Sequence, residues 1–146
     1  MLHALQFVAT LSAALFAGAA LYINLVEHPA RMGLETSMAA AQWAPSYTRA
    51  TWMQAPLALL SFVAGTVVWL MGAGVAWLVA ALLIVGVVPF TFAVIMPTNH
   101  KLLAPGRDLG SSETRMLLES WGKLHAVRTC LSLLATVLFV WLLLGA

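Results

Sequence analysis

Polar side chains that can carry chemistry recur near one end of each long apolar stretch of this 146-residue chain. Trp121, His125 and Arg128 are spaced by four and three residues, so a helix would place them on one face. Histidine can exchange protons near neutral pH or bind a metal, and a charged residue within a membrane is by default a functional-site candidate. This spacing predicts a site on one helix face, although Arg128 could instead extend to the lipid headgroups.

A second face lies near the N-terminus. Asn24, Glu27, His28 and Arg31 recur at intervals of three and four residues, as on one side of a helix. Glu27 is the predicted ionic partner of Arg128, because it ends the first apolar stretch at a similar depth.

Depth along the helices brings further residues to the same level. With 1.5 Å of rise per residue, Asn24, Gln54, Asn99 and Arg128 all lie roughly 26–38 Å from the opposite membrane face. We therefore expect one polar chamber, with Asn24, Gln54 and Trp52 as substrate-binding candidates. The alternatives are a simple helix-capping role for Asn99 and a water-exposed loop position for His100.

The elements that must position these residues follow from the distribution of charge. Only 8% of residues are charged and 62% are hydrophobic, and residues 1–26, 50–100 and 129–146 carry no Asp, Glu, Lys or Arg. This composition excludes a soluble globule and predicts an all-α, four-helix transmembrane bundle as a single domain. The expected spans are approximately 4–26, 55–71, 75–96 and 124–145, with a tight turn at residues 71–74 and short interfacial helices in the two polar loops, one of them near 35–43 and one capped by Ser111 or Ser112.

Orientation and partners follow from the same distribution. All seven Lys and Arg residues fall in the two polar regions, which predicts cytoplasmic loops, with both termini on the opposite side, in a bacterial inner membrane. The net charge of +2, with no dense basic run, predicts no nucleic-acid partner. The bilayer is the expected environment, and the Ala13/Ala17 and Ala14/Gly18 pairs allow a homo-oligomer.

The combination of Pro97-Thr98-Asn99 with Trp121-x-x-x-His125-x-x-Arg128 resembles the anthrone-oxygenase-like family of small four-span membrane proteins. The resemblance covers nearly the whole chain in length and span order, and most members of that family have no known function. It implies an oxygenase that converts anthrones to anthraquinones during polyketide assembly. Asn99, Trp121, His125 and Arg128 match the family pattern, and His28 is a further catalytic candidate.

For such a substrate, a small lipophilic aromatic, the resemblance implies a simple mechanism. His125 would remove the acidic proton, with His28 as the substitute, and Arg128 would stabilise the resulting anion while Trp121 stacks on the rings. The carbanion would then pass an electron to O₂, so that no cofactor is required.

Two other functions remain open at this point. His28, His100 and His125 come from three helices at about one depth, and together with Glu27 they are candidate ligands for haem or a transition metal. The chain could also be a non-catalytic membrane partner subunit.

Overall fold

The computed structural model describes residues 1–145, and within that part of the chain the ordered elements are helical, with no strand. Four long helices are present: α1 (Leu2–Met32), α2 (Thr36–Ala73), α3 (Val75–Leu102) and α4 (Ser112–Leu143). Each is long and apolar enough to cross a membrane, so the predicted all-α transmembrane bundle is confirmed. The predicted spans fall inside these helices, except that α4 ends at Leu143 and not at residue 145.

The helical segments predicted in the polar loops are the ends of the spanning helices. Residues 36–43 of the predicted segment 35–43 form the first turns of α2, which starts at Thr36 and continues into the apolar stretch. Ser111 caps α4, since its side-chain oxygen accepts a hydrogen bond from the backbone N–H of Thr114 at 3.2 Å, and Glu113 lies in the first turn.

Two π-helical segments let α1 and α3 continue farther than the sequence predicted. Ile23–Glu27 precedes Pro29 in α1, and Thr91–Ile95 precedes Pro97 in α3. Each proline therefore falls in the first turn of a new α-helical segment, where its missing N–H costs least. The prediction that α3 ends around residues 97–100 was wrong, and Asn99 is an interior residue of the helix.

The four helices pack in chain order around a ring. α1 lies against α2 and α4 along its length, whereas α3 lies against α2 only in the half next to the 72–74 turn. The other half of α3 leans on α4, which leaves a gap between α2 and α3 toward the loop end. This asymmetry shapes the cavities described below.

The predicted glycine-rich break forms the turn between α2 and α3. Gly72 has φ 89°, and Gly74 has φ 101° and ψ 153°. The second conformation is essentially restricted to glycine, because a Cβ atom would clash with the backbone. The turn therefore requires glycine at position 74.

Replacing Gly74 with alanine should destabilise the bundle by about 1–3 kcal/mol, the typical cost of a non-glycine residue in such a region. Gly18→Ala is the matched control, because Gly18 is helical and an added Cβ atom would meet nothing within 4 Å. Thermal unfolding in detergent should show a lower transition temperature for Gly74→Ala and almost none of that loss for Gly18→Ala. Equal stability of the two variants would contradict the turn assignment.

Candidate functional site

A polar layer crosses the bundle between two apolar clusters. The cluster on the turn side includes Phe16, Trp77 and Phe139, and the cluster on the loop side includes Trp43 and Trp121. The predicted chamber is thus closed by aromatic packing toward the loops, instead of opening to water at the end of the bundle. Its polar groups lie in the interior of the protein.

His125 is held in this layer by the amide of Asn24. The Asn24 Nδ2 group donates to the backbone carbonyl of Gly122 at 3.0 Å, so its Oδ1 faces the imidazole. His125 Nδ1 lies 2.7 Å from that oxygen, and Thr129 Oγ1 donates to the same oxygen at 2.6 Å. Because Oδ1 can only accept, Nδ1 carries the proton and Nε2 keeps its lone pair. His125 is 2% exposed, and the arrangement presents one base nitrogen in a fixed orientation.

Arg128 is the cation of the layer, and no carboxylate within the described residues pairs with it. Its Nη2 donates to Gln54 Oε1 at 2.9 Å, and its guanidinium lies 5.6 Å from the centre of the Phe16 ring. Arg128 Nε and Gln54 Nε2 are both buried and have no hydrogen-bond partner in the part of the chain that the structure describes. Two buried donors are therefore left unsatisfied in this layer.

Glu27 is not the partner of Arg128, as the sequence had suggested. It forms an i, i+4 ion pair with Arg31 at 2.5 Å and accepts a hydrogen bond from Ser46 of α2. Arg31 is itself buried and also donates to Gln42. The prediction failed because Arg31, one helical turn away on the same face of α1, is the nearer cation.

Two adjoining cavities meet at Arg128. The first, called here the polar cavity, measures about 10 Å³, which is room for about one water molecule. Its lining includes Gln54, Trp121, His125 and Arg128. The second, called the lateral cleft, measures about 100 Å³ and lies between α2 and α3. Arg128, Tyr47 and Thr51 line both.

His28 lies outside these cavities. It is buried on the other side of Trp121, with ring centroids 5.2 Å apart, and lines a groove between α1 and α4 together with Asn24. Arg31 Nη1 approaches His28 Nδ1 at 3.3 Å. The geometry therefore gives no access from His28 to the cavity at His125, and its predicted role as a substitute base is not supported.

Other predicted residues take different positions. Trp52 is 79% exposed and lines neither cavity, so it belongs to the outer surface and not to a substrate-binding chamber. Asn99 is fully buried with both amide atoms unpartnered among the described residues, yet it also lines neither cavity. His100 is exposed at the loop end of α3.

The predicted metal ligands do not come together. In residues 1–145, no group of three His, Cys, Asp or Glu side chains is arranged to hold a metal ion. His100 lies at an exposed helix end, and Glu27 belongs to an ion pair. His28 and His125 line two separate cavities.

Sequence reasoning missed several residues that complete the site. Tyr47 stacks on Trp43 with ring centroids 5.1 Å apart and lines both cavities. Thr129 follows His125 by four residues, and Tyr47 follows Trp43 by four, so helical phase could have found both. Phe16, beneath Arg128, comes from an uninterrupted apolar run that offers no such signal.

These features define an integral membrane protein with a histidine, an arginine and an amide around one buried cavity. A family profile described as anthrone oxygenase matches residues 43–138. The chain belongs to this family, which confirms the resemblance seen in its motifs. Gln54, Asn99, Trp121, His125 and Arg128 lie within the matched range, and Asn24 lies before it.

Two fungal relatives agree with this assignment. The anthrone oxygenase tpcL of Aspergillus fumigatus is 37% identical over 70 residues, covering 46% of this chain and 44% of the relative. The anthrone oxygenase ptaC of Pestalotiopsis fici is 32% identical over 120 residues, covering 73% of this chain and 85% of the relative. The chain thus spans less than half of the length of tpcL and most of that of ptaC. No solved structure gives a significant match.

The position of His28 depends on Gly122. A Cβ atom at residue 122 would lie 2.5 Å from His28 Nε2, so the ring must move if that atom is added. We expect Gly122→Ala to destabilise the protein by about 1–3 kcal/mol through overpacking. The same substitution in a His28→Ala background should cost much less, because the clashing ring is gone.

Unfolding of the four proteins in this double-mutant cycle, followed by circular dichroism in detergent, measures the coupling. An equal cost of Gly122→Ala in both backgrounds would contradict the contact between His28 and the α4 backbone.

Proposed function

We propose that this protein is a membrane-embedded oxygenase that acts on an anthrone or a similar lipophilic phenolic. One observation carries the proposal: His125, with a fixed free base nitrogen, and Arg128, with no carboxylate partner among residues 1–145, line the same buried cavity. Membership of the anthrone oxygenase family and the similarity to the anthrone oxygenases tpcL and ptaC support the same reaction class.

In this proposal His125 Nε2 is the base. An anthrone carries a mildly acidic C–H opposite its carbonyl, and a neutral imidazole with a free lone pair can act as the general base that accepts this proton. Asn24 is a positioning residue, because it holds the Nδ1–H tautomer and orients the ring without touching substrate.

Arg128 stabilises the anion. Removal of the proton places negative charge on the carbonyl oxygen, and a guanidinium in a low-dielectric site stabilises such charge strongly. A carboxylate next to Arg128 would already neutralise it. The neutral partner Gln54 leaves the positive charge available.

The reaction balances with O₂ as the only oxidant. The carbanion gives one electron to O₂, and the two radicals combine to form a peroxide at that carbon. The peroxide takes back the first proton from His125. Loss of the second C–H proton, with cleavage of the O–O bond, then gives the quinone and one water. No metal or haem enters this scheme, and the base and the cation come from the chain itself.

Substitutions in the polar layer test the proposal by oxygen uptake on addition of an anthrone. His125→Ala should lower kcat by about 10²–10⁴-fold, the range for loss of a general base. Arg128→Ala should lower kcat by about 10²–10³-fold, as for loss of an oxyanion-stabilising group. The control is Lys123→Ala, an exposed cation on a different face of α4, which should retain wild-type activity. Equal losses in Arg128→Ala and Lys123→Ala would contradict the assignment.

Metal content gives an independent test. Protein purified in detergent and treated with a chelator should keep its oxygen uptake and show no Soret absorbance. Activity lost on chelation and restored by one metal would favour the metal-dependent alternative, and an active haem protein would favour haem chemistry. A folded protein that turns over no phenolic would favour a non-catalytic subunit.

We also propose that both polar loops face the cytoplasm. All seven Lys and Arg residues lie in the regions around these loops, and positively charged loops are retained on the cytoplasmic side. The fungal origin of the two relatives gives no support to a bacterial inner membrane. Accessibility of a cysteine introduced at Leu109 to a membrane-impermeant reagent in intact cells tests the orientation. Labelling from the outside would reverse it.

A further inference from the structure

We propose that the lateral cleft between α2 and α3 is the slot through which the substrate enters from the lipid, and that it first holds a flat, uncharged aromatic ketone with its oxygen toward Arg128, before the acidic C–H reaches His125. This inference rests on the proposed function and deepens it, because it names the binding surface and the route of entry.

The packing of the helices creates the slot. Next to the 72–74 turn, α2 and α3 are in contact, but toward the loops α3 leans on α4 and separates from α2. The resulting gap is the lateral cleft, and its mouth carries exposed residues, Ala55 of α2 and Phe92 of α3. These residues lie on apolar membrane-spanning helices, so the mouth faces the hydrocarbon region.

The walls of the slot match an apolar ring system. Ala55 and Ala58 belong to the α2 wall together with Tyr47 and Thr51, and Val87 and Val88 belong to the α3 wall. The threonine hydroxyls of the lining form hydrogen bonds within their own helices. Thr91 donates to the Val87 carbonyl at 2.6 Å, and Thr51 donates to the Tyr47 carbonyl. These two threonine hydroxyls therefore require no polar partner from the ligand, and the Tyr47 hydroxyl is the remaining polar group of the walls.

The inner end of the slot is different, because it carries the positive charge of Arg128. Its Nε is buried and has no partner among the described residues, while its Nη2 is held by Gln54. A ligand oxygen of high electron density would complement the charge of the guanidinium. Mostly apolar walls with one cationic end select a ligand that is apolar over most of its surface and presents one carbonyl oxygen to Arg128.

Size sets a further requirement. The slot measures about 100 Å³, below the roughly 300–1,000 Å³ of sites that enclose drug-sized ligands. A three-ring ligand therefore displaces side chains at the mouth or projects partly into the bilayer. Phe92, which is 66% exposed, and the flexible Met96 line the cleft and are the side chains that must move.

The test uses 9,10-anthraquinone, a flat ketone without the acidic C–H, so that binding is measured without turnover. The full chain is placed in lipid nanodiscs, and binding of the tritiated quinone is corrected for empty nanodiscs. Ala55→Trp should weaken binding at least tenfold by filling the slot. The matched control, Ala93→Trp, adds the same side chain at an exposed α3 position outside the cleft and should stay within twofold of wild type.

Photolabelling of the wild-type protein provides a second measurement that does not depend on a variant folding. A diazirine-bearing anthraquinone should label residues 47–58 and 87–96. Excess neutral anthraquinone should protect them, whereas the charged anthraquinone-2-sulfonate, which the hydrocarbon excludes, should not. Labels confined to the α1–α4 groove, equal binding by the two tryptophan variants, or equal protection by the sulfonate would overturn the proposal.

The outcomes separate this inference from the proposed function. Labels in the cleft without oxygen uptake from an anthrone would keep the slot and overturn the oxygenase. Oxygen uptake with labels elsewhere would keep the oxygenase and overturn the slot.

Discussion

Three hydrogen bonds to the side chain of Asn24 join α1 to α4 in the middle of the bundle. The amide donates to the Gly122 carbonyl and accepts from His125 and Thr129. In a membrane interior an unsatisfied polar group is costly, so such a set of bonds specifies one alignment of the two helices as well as stabilising it. The orientation of His125, and with it the accessible base nitrogen, depends on this alignment.

Arg128 obeys a different constraint. Burial of a cation normally requires a carboxylate, yet the ion pair in this region joins Glu27 to Arg31 and leaves Arg128 to a neutral amide and an aromatic face. The charge on Arg31 is used for structure, because its network links α1 to Gln42 and Ser46 of α2. The charge on Arg128 remains available to a ligand. The location of Glu27 therefore determines that Arg31 is ion-paired and that Arg128 is not.

The fold could be predicted from sequence because long uncharged stretches and a glycine pair are strong signals. Helical phase also identified the shared face of Trp121, His125 and Arg128, whose side chains line one cavity. Phase within one helix does not report rotation between helices, so the sequence could not show that His28 lies across Trp121 from the cavity at His125. Trp52 was included by depth alone, which does not distinguish an inward from an outward direction. The continuation of α1 and α3 through prolines was missed because a π turn has no distinctive composition.

Those two wide turns have a consequence for how the chain tolerates insertion and deletion. Each α-helical residue advances the side-chain direction by about 100°, and a π turn accommodates one additional residue without breaking the helix. Removing one residue from Ile23–Glu27 would rotate the remaining residues of α1, up to the first loop, relative to Asn24. The side chains of His28 and Arg31 would then lose their aromatic and ionic contacts and face other neighbours. The membrane-buried half of α1 would keep its contacts. The extra residue therefore rotates the side chains of the loop-side end of α1 relative to those of its membrane-buried half. One continuous helix can in this way contact neighbours that lie in two different directions.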